Sequence, residues 1–255
     1  MAVVRTINGD VSPDTLGVVN AHDHLIRVGA GEVYIDPDHL LDDVDKAAQE
    51  ATYFVEASKS WAAGGTIIDM CPASSGRGVL KTLQVVEKVP GLQVVQATGF
   101  HQQKVYLEWR QSWVNQYTVT QIADLLIADI VEGIDRFDYM GPIVERTNVK
   151  AGVIKWATAY GKITEWEKKS GQAVAIASKE TGCPINTHVR PELVALSRQD
   201  SLLTRVLIRP KSLSAICSAT GIPGFTSRSA SSAATSSWTA LTASSTSRIT
   251  PASTS

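Results

Sequence analysis

No stretch of this sequence approaches the ~20 consecutive apolar residues that a bilayer-spanning helix needs, so the chain is expected to stay off the membrane. Net charge is nearly absent too, at −1 formally. That removes the electrostatic footprint of a protein that binds nucleic acid or an anionic surface. Cysteine is scarce: Cys71, Cys183 and Cys217 are an odd number without CxxC spacing. They suit a reducing cytoplasm and build neither a disulfide framework nor a cysteine zinc cluster. Cys71 and Cys183 sit beside apolar stretches and are expected to be packed. The N-terminus, Met1-Ala2-Val3-Val4-Arg5-Thr6, lacks a charged segment leading into a long apolar core, so no secretory leader is expected. The last shortage is regional. After Asp200 there is no aspartate, glutamate or histidine, while serine and threonine fill 24 of the last 55 positions. Such a composition offers too few large apolar groups to offset chain entropy and reads as a disordered tail.

What is present before that point is a regular beat of strand and helix. Val18-Val19-Asn20-Ala21-His22-Asp23-His24-Leu25 reads as a first, buried strand. Asp36-Pro37-Asp38 opens a long helical pattern through Leu40, Leu41, Val44, Ala48, Ala51 and Val55, stopped by Gly64-Gly65. Thr66–Cys71 is a second strand, Val79–Val89 a helix ended by Pro90-Gly91, and Leu92–Thr98 a third strand. A polar and aromatic connection follows, and Thr118 caps a strongly periodic helix. Gly152–Ala157 is a fourth strand, Thr164 starts a helix ending at Gly182, and Pro184–Val189 is a fifth strand. Repeated strand-then-helix calls for a parallel sheet with right-handed crossovers. Five short strands with the pattern still running favour an α/β fold of the (β/α)8 TIM-barrel type, incomplete at about five to six βα units. Residues 1–208 form this partial barrel and residues 209–255 the low-complexity tail, with Arg205–Ile208 passing for a sixth strand.

In such barrels the chemistry lies at the C-terminal ends of the strands. His22 and His24, one residue apart in extended chain, leave the same face, with Asp23 opposite. Two neutral imidazoles are half of a typical divalent-metal ligand set. Lys155 lies inside the fourth strand and His188 at the end of the fifth, so all four converge on one mouth. Taken singly, each has a plainer explanation: surface or hydrogen-bonded histidines, and a lysine ion-paired at the rim. A lysine inside an apolar strand must snorkel, pair or be chemically modified. His39, at a helix start, is expected to face solvent.

Together these residues resemble the phosphotriesterase family of the amidohydrolase superfamily. The likeness rests on Asn20-Ala21-His22-Asp23-His24-Leu25, Gly152-Val153-Ile154-Lys155 and Pro184-Ile185-Asn186-Thr187-His188. Asp124–Ile134 is similar to the family's helix before strand 4, and order and spacing agree from about residue 9 to residue 200. The resemblance implies a catabolic hydrolase with two divalent metals, usually zinc. By it, His22 and His24 hold the buried metal, His188 the more exposed one, and Lys155 bridges both as a carbamate. A lysine cation would repel two M²⁺ ions, whereas its carboxylated form is an anion with two oxygens. The implied chemistry is attack of a bridging hydroxide on a phosphotriester, lactone or other ester while a metal polarises the electrophilic oxygen. A homodimer is among the assemblies it implies.

The departures are as informative. Where the family often shows Gly-Arg-Asp, this chain has Gly76-Arg77-Gly78, so the turn lacks its acid. Gly99-Phe100-His101 puts a histidine where a tyrosine is common. His101 is either a substrate contact or a loop residue. The family pattern further demands a strand-6 histidine and a strand-8 aspartate, and neither follows residue 200. A reading-frame shift near residues 197 to 212 is the expected origin of the tail, with a natural low-complexity tail as the competing explanation. The chain is therefore expected to be a family hydrolase by ancestry with impaired activity, or else a non-catalytic partial-barrel scaffold. A mononuclear hydrolase using His22, His24 and His188 would leave Lys155 without a role.

Overall fold

The structure is a computed structural model that describes residues 3–107, 113–159 and 163–188. A five-stranded parallel sheet forms its centre: β3 (Val18–Asp23), β4 (Gly65–Asp69), β5 (Leu92–Phe100), β6 (Val153–Ala157) and β7 (Ile185–His188), hydrogen-bonded in that order. Each strand thus neighbours the next in sequence, the winding of a (β/α) barrel. A short antiparallel hairpin, β1 (Val4–Thr6) with β2 (Gly9–Val11), precedes it. Ile7 N donates to Val94 O at 2.7 Å, which seats the hairpin near the N-terminal end of the sheet. Among the described residues no helix is long and apolar enough to cross a membrane.

Four longer helices follow the strands: α2 (Val44–Ser58), α3 (Val79–Lys88), α5 (Val119–Val131) and α6 (Glu165–Thr181). Two short ones, α1 (Ala30–Ile35) and α4 (Gln103–Leu107), sit in the connections after β3 and β5. Strand parity divides the core in two. Ile67, Val94 and Ile154 face the helices, in one cluster with Val55, Val85, Leu126 and Val174. Ile68, Met70, Val95, Ala97 and Val153 point the other way and pack together on the inner face, with Val4 and Val19 against them. A sheet apolar on both faces yields the continuous apolar runs read in the sequence.

The helix starts are set by side-chain oxygens. Thr118 and Thr164 each close a capping box, with Gln121 and Glu167 respectively, as those sequences invite. Glu167 is buried and does more: Oε2 accepts from Thr164 N at 3.0 Å, and Oε1 from Ala159 N at 2.8 Å and Gln103 N at 3.3 Å. It ties the loop after β6 to α4. Gly182 ends α6 at φ 72°, the left-handed cap that glycine adopts freely.

Two expectations need correction. The helix expected from Asp36 begins only at Val44, capped by Asp43, whose side chain accepts from Asp45 N and Lys46 N. Upstream there is a single 3₁₀ turn, Pro37–His39. The helix cannot start earlier because Leu41 is held extended by reciprocal 3.0 Å hydrogen bonds with Arg27. The first strand is half-buried rather than buried, and it stops at Asp23, because β4 is its one neighbour among the described residues. His39 is exposed and Cys71 and Cys183 are buried, as expected. Val189, the candidate sixth strand, Cys217 and the tail lie outside the described residues.

Candidate functional site

β3 and β7 are four steps apart in the sheet order. A flat sheet would separate them by about 19 Å at about 4.8 Å per step. The rings of His22 and His188, at the ends of these two strands, have centroids 5.8 Å apart. The sheet therefore curls, and its C-terminal edge closes into a mouth. His24 joins the group at 5.6 Å from His22, and His101, just after β5, at 5.5 Å from His188.

A bulge puts the first two histidines there. Asn20 pairs with Ile67 and Asp23 with Asp69, so three residues of β3 span two of β4. In an unbroken strand, Val19 on the inner face would send His22 to the outer one. The extra residue reverses the parity. Val19, His22 and His24 then share the inner side, while Asp23 is exposed and accepts from Asn20 Nδ2 at 2.6 Å.

Lys155 lies in the middle of β6, two residues on from the inward Val153, and is 0% exposed. Its Nζ donates to Met70 O at 2.9 Å. β5 approaches it so closely at Gly99 that a Cβ there would lie 2.0 Å from Lys155 O, and Gly99 has φ 97°. Only glycine fits. Burial pushes the Lys155 amine down to about 8. Burial, then the charges of Lys155 and His188, lowers His22 to about 4. Burial, then Lys155 and Arg27, takes His24 to about 2. Those two rings are neutral at pH 7, the form in which imidazole binds a metal. Two neutral imidazoles near a lysine that is partly free amine are donor types that could hold a divalent metal.

His101 is held by the protein. Its Nε2 is 3.3 Å from Glu32 Oε1, Glu32 Oε2 is 3.0 Å from Arg27, and its Nδ1 accepts from Gln102 N at 2.7 Å. Burial, then Lys155 and His188, lowers its ring to about 2. With both nitrogens engaged, the ring offers a neighbour its faces and edges. Arg27 and Glu32 carried no signal in the sequence, because the ring that their ion pair braces comes from the connection after β5.

The turn without its acid is not short of carboxylates. Arg77, 1% exposed, is 3.0 Å from Asp129 and 3.2 Å from Asp138 and donates to Ala97 O at 2.9 Å. Asp138 also accepts from the amides of Ser74, Gly76 and Arg77 at 2.9–3.0 Å. Burial raises the Asp138 carboxyl to about 6 against those contacts.

Residues 2–205 match the profile of the phosphotriesterase family. A phospho-furanose lactonase of Mycoplasmopsis agalactiae is 36% identical over 201 residues, 78% of this chain and 55% of that protein. An aryldialkylphosphatase of Saccharolobus solfataricus is 30% identical over 195 residues, 76% of this chain and 56% of that protein. Among solved structures, an amidohydrolase from Mycoplasma synoviae superposes with a TM-score of 0.71 at 37% identity, covering 81% of this chain and 56% of that one. A lactonase from Listeria monocytogenes gives 0.67 at 25% identity, covering 86% and 70%. The chain spans about half the length of the curated relatives it matches.

Proposed function

The chain belongs to the phosphotriesterase family, and from that premise we propose that it is a zinc-dependent hydrolase of small ester substrates, lactones first. The observation that carries this is the convergence of His22, His24 and His188, at or just past the ends of the two outer strands of the sheet, within electrostatic reach of the buried Lys155. His22 and His24 would hold one divalent cation, His188 a second, and Lys155 would bridge them as a carbamate. Carbamylation needs a free amine. An amine lowered to about 8 is roughly one-tenth neutral at pH 7, far more than an ordinary lysine. Nitrogen donors suit zinc. Bound there, such cations supply Lewis-acid polarisation of the ester oxygen and acidify a water.

The substrate preference follows the relatives: those named phospho-furanose lactonases are 36% and 38% identical to this chain, and the aryldialkylphosphatase 30%. A furanose lactone phosphate is accordingly the first substrate to assay and a phosphotriester the second. His101, braced by Glu32, would line the pocket and meet substrate through its ring. A cytoplasmic location and a homodimer complete the proposal.

Turnover by this chain is expected to be low. No histidine or acidic residue follows Asp200 to complete the second metal's ligands or to accept a proton, and the family match stops at residue 205. The same feature favours the second reading, a non-catalytic scaffold. Metal analysis of the purified full chain, beside Lys155→Ala, separates the two. The hydrolase reading expects zinc in the first, its loss in the second, and weak lactonase activity. Equal and negligible zinc in both would leave the scaffold.

A further inference from the structure

His24 has a contact that the proposed metal role does not use. Its Nδ1 lies 3.2 Å from Sγ of Cys71, and Cys71 is 0% exposed. The neighbours of the thiol decide where the proton of that contact resides. The thiol donates to the carbonyl oxygen of Ile26 at 3.5 Å. Both Asp69 oxygens already act as acceptors, Oδ1 from Cys71 N at 3.0 Å and Oδ2 from Gln96 Nε2 at 3.1 Å. The Ile26 carbonyl cannot supply a proton, so the single thiol proton lies on that contact. Sulfur is left to accept, and the hydrogen on the contact with His24 belongs to the imidazole.

We propose that Cys71 is a positioning residue for His24, fixing the ring as its Nδ1–H tautomer so that the Nε2 lone pair is the one free to bind. Histidines that ligate metals are generally oriented through the other ring nitrogen, most often by a carboxylate or carbonyl. Here a buried sulfur takes that place, with Asp69 and Gln96 one step behind it. His24, Asp69 and Cys71 do bring one ligand atom each within 4.8 Å of one another. The carboxylate is committed to its amide donors and the sulfur to the ring, so the group is a hydrogen-bond chain rather than a separate metal site. The consequence for metal binding rests on the reading of His24 as a ligand; the tautomer does not.

The test reads the tautomer directly. The full chain, metal-free at neutral pH and labelled with ¹⁵N-histidine, is examined by long-range ¹H–¹⁵N correlation, with His24→Gln assigning the resonance. The wild type should show His24 protonated at Nδ1. Cys71→Ser, which keeps an accepting atom, should retain that form, and Cys71→Ala should shift the ring towards Nε2–H. An Nε2–H ring in the wild type overturns the proposal, as does an unchanged tautomer in folded Cys71→Ala. If the alanine variant does not fold, the wild type and the serine variant still decide. Zinc titration adds the functional arm: Cys71→Ala should weaken affinity about 10–100-fold without changing stoichiometry at saturation. If His24→Gln binds zinc as tightly as the wild type, the ligand reading falls while the tautomer result stands.

Discussion

The inner and outer strands of the sheet differ in what they hold. β4 and β6 are buried at every residue and β5 at all but one, whereas β3 is half-buried and β7 runs from half-buried to exposed. Yet three of the four proposed ligands, His22, His24 and His188, sit on or beside those outer strands. Stability is thus concentrated where packing is complete, and the candidate chemistry lies where the sheet still meets water. Lys155 is the exception, a cation placed in the packed middle with a backbone carbonyl as its acceptor. That placement opposes stability and favours reactivity, since desolvation is what frees the amine.

If this division holds, the largest effect belongs to the middle. Arg77→Ala leaves two buried carboxylates, Asp129 and Asp138, short of their shared cation. Breaking such a pair costs about 3–5 kcal/mol, read as a drop in the urea midpoint. A loss below about 1 kcal/mol would mean that the middle is not where the stability resides. Ring for ring, acid should come next, and it acts at the rim. His22, His24 and His101 have folded-state values below the unfolded ~6.5, so protons bind the unfolded chain more tightly. Their contribution is complete above about pH 6.5 and declines as pH falls towards about 4 for His22 and about 2 for the other two. By pH 5 each well-buried ring costs up to about 2 kcal/mol, less for His22, which keeps more contact with water. Denaturant midpoints of the metal-free chain at pH 7 and pH 5, with His24→Gln flattening the slope, measure it. A smaller loss is expected from Thr164→Ala, which opens one capping box for about 1 kcal/mol.

Much of this architecture was legible in the chain because its signals are local. Thr118 and Thr164 announce their helices, Gly182 ends one, and the alternation of strand with helix fixes a parallel sheet. The convergence of His22, Lys155 and His188 was expected from their places in the first, fourth and fifth strands. What could not be read depends on partners distant in sequence. Leu41 looks helical until Arg27 pairs with its backbone, and Arg77 looks bereft of an acid until Asp138 folds over it. The β3 bulge is hidden for the same reason: alternation in one strand cannot reveal that its neighbour spends two residues on the same span. Cys71 was expected to be simply packed. It is buried, and its contact with His24 exists only because β3 and β4 are adjacent.

The smallest stability effect should accompany the sharpest functional one. His188 is exposed at the end of β7, and its carbonyl accepts from Thr158 N at 3.3 Å, a backbone contact that substitution leaves in place. Alanine there removes ring contacts with His22 and His101 at an exposed position, and surface changes of that kind shift stability by about 0.5 kcal/mol. The same change deletes the nitrogen proposed for the more exposed cation. One zinc equivalent should be lost or weakened relative to the wild type, while His22 and His24 keep theirs. Parallel urea unfolding and zinc titration of His188→Ala would show whether the two properties separate. Equal losses in stability and in metal would mean that the outer strand supports the fold as much as the site, and that the division between packed middle and working rim does not describe this protein.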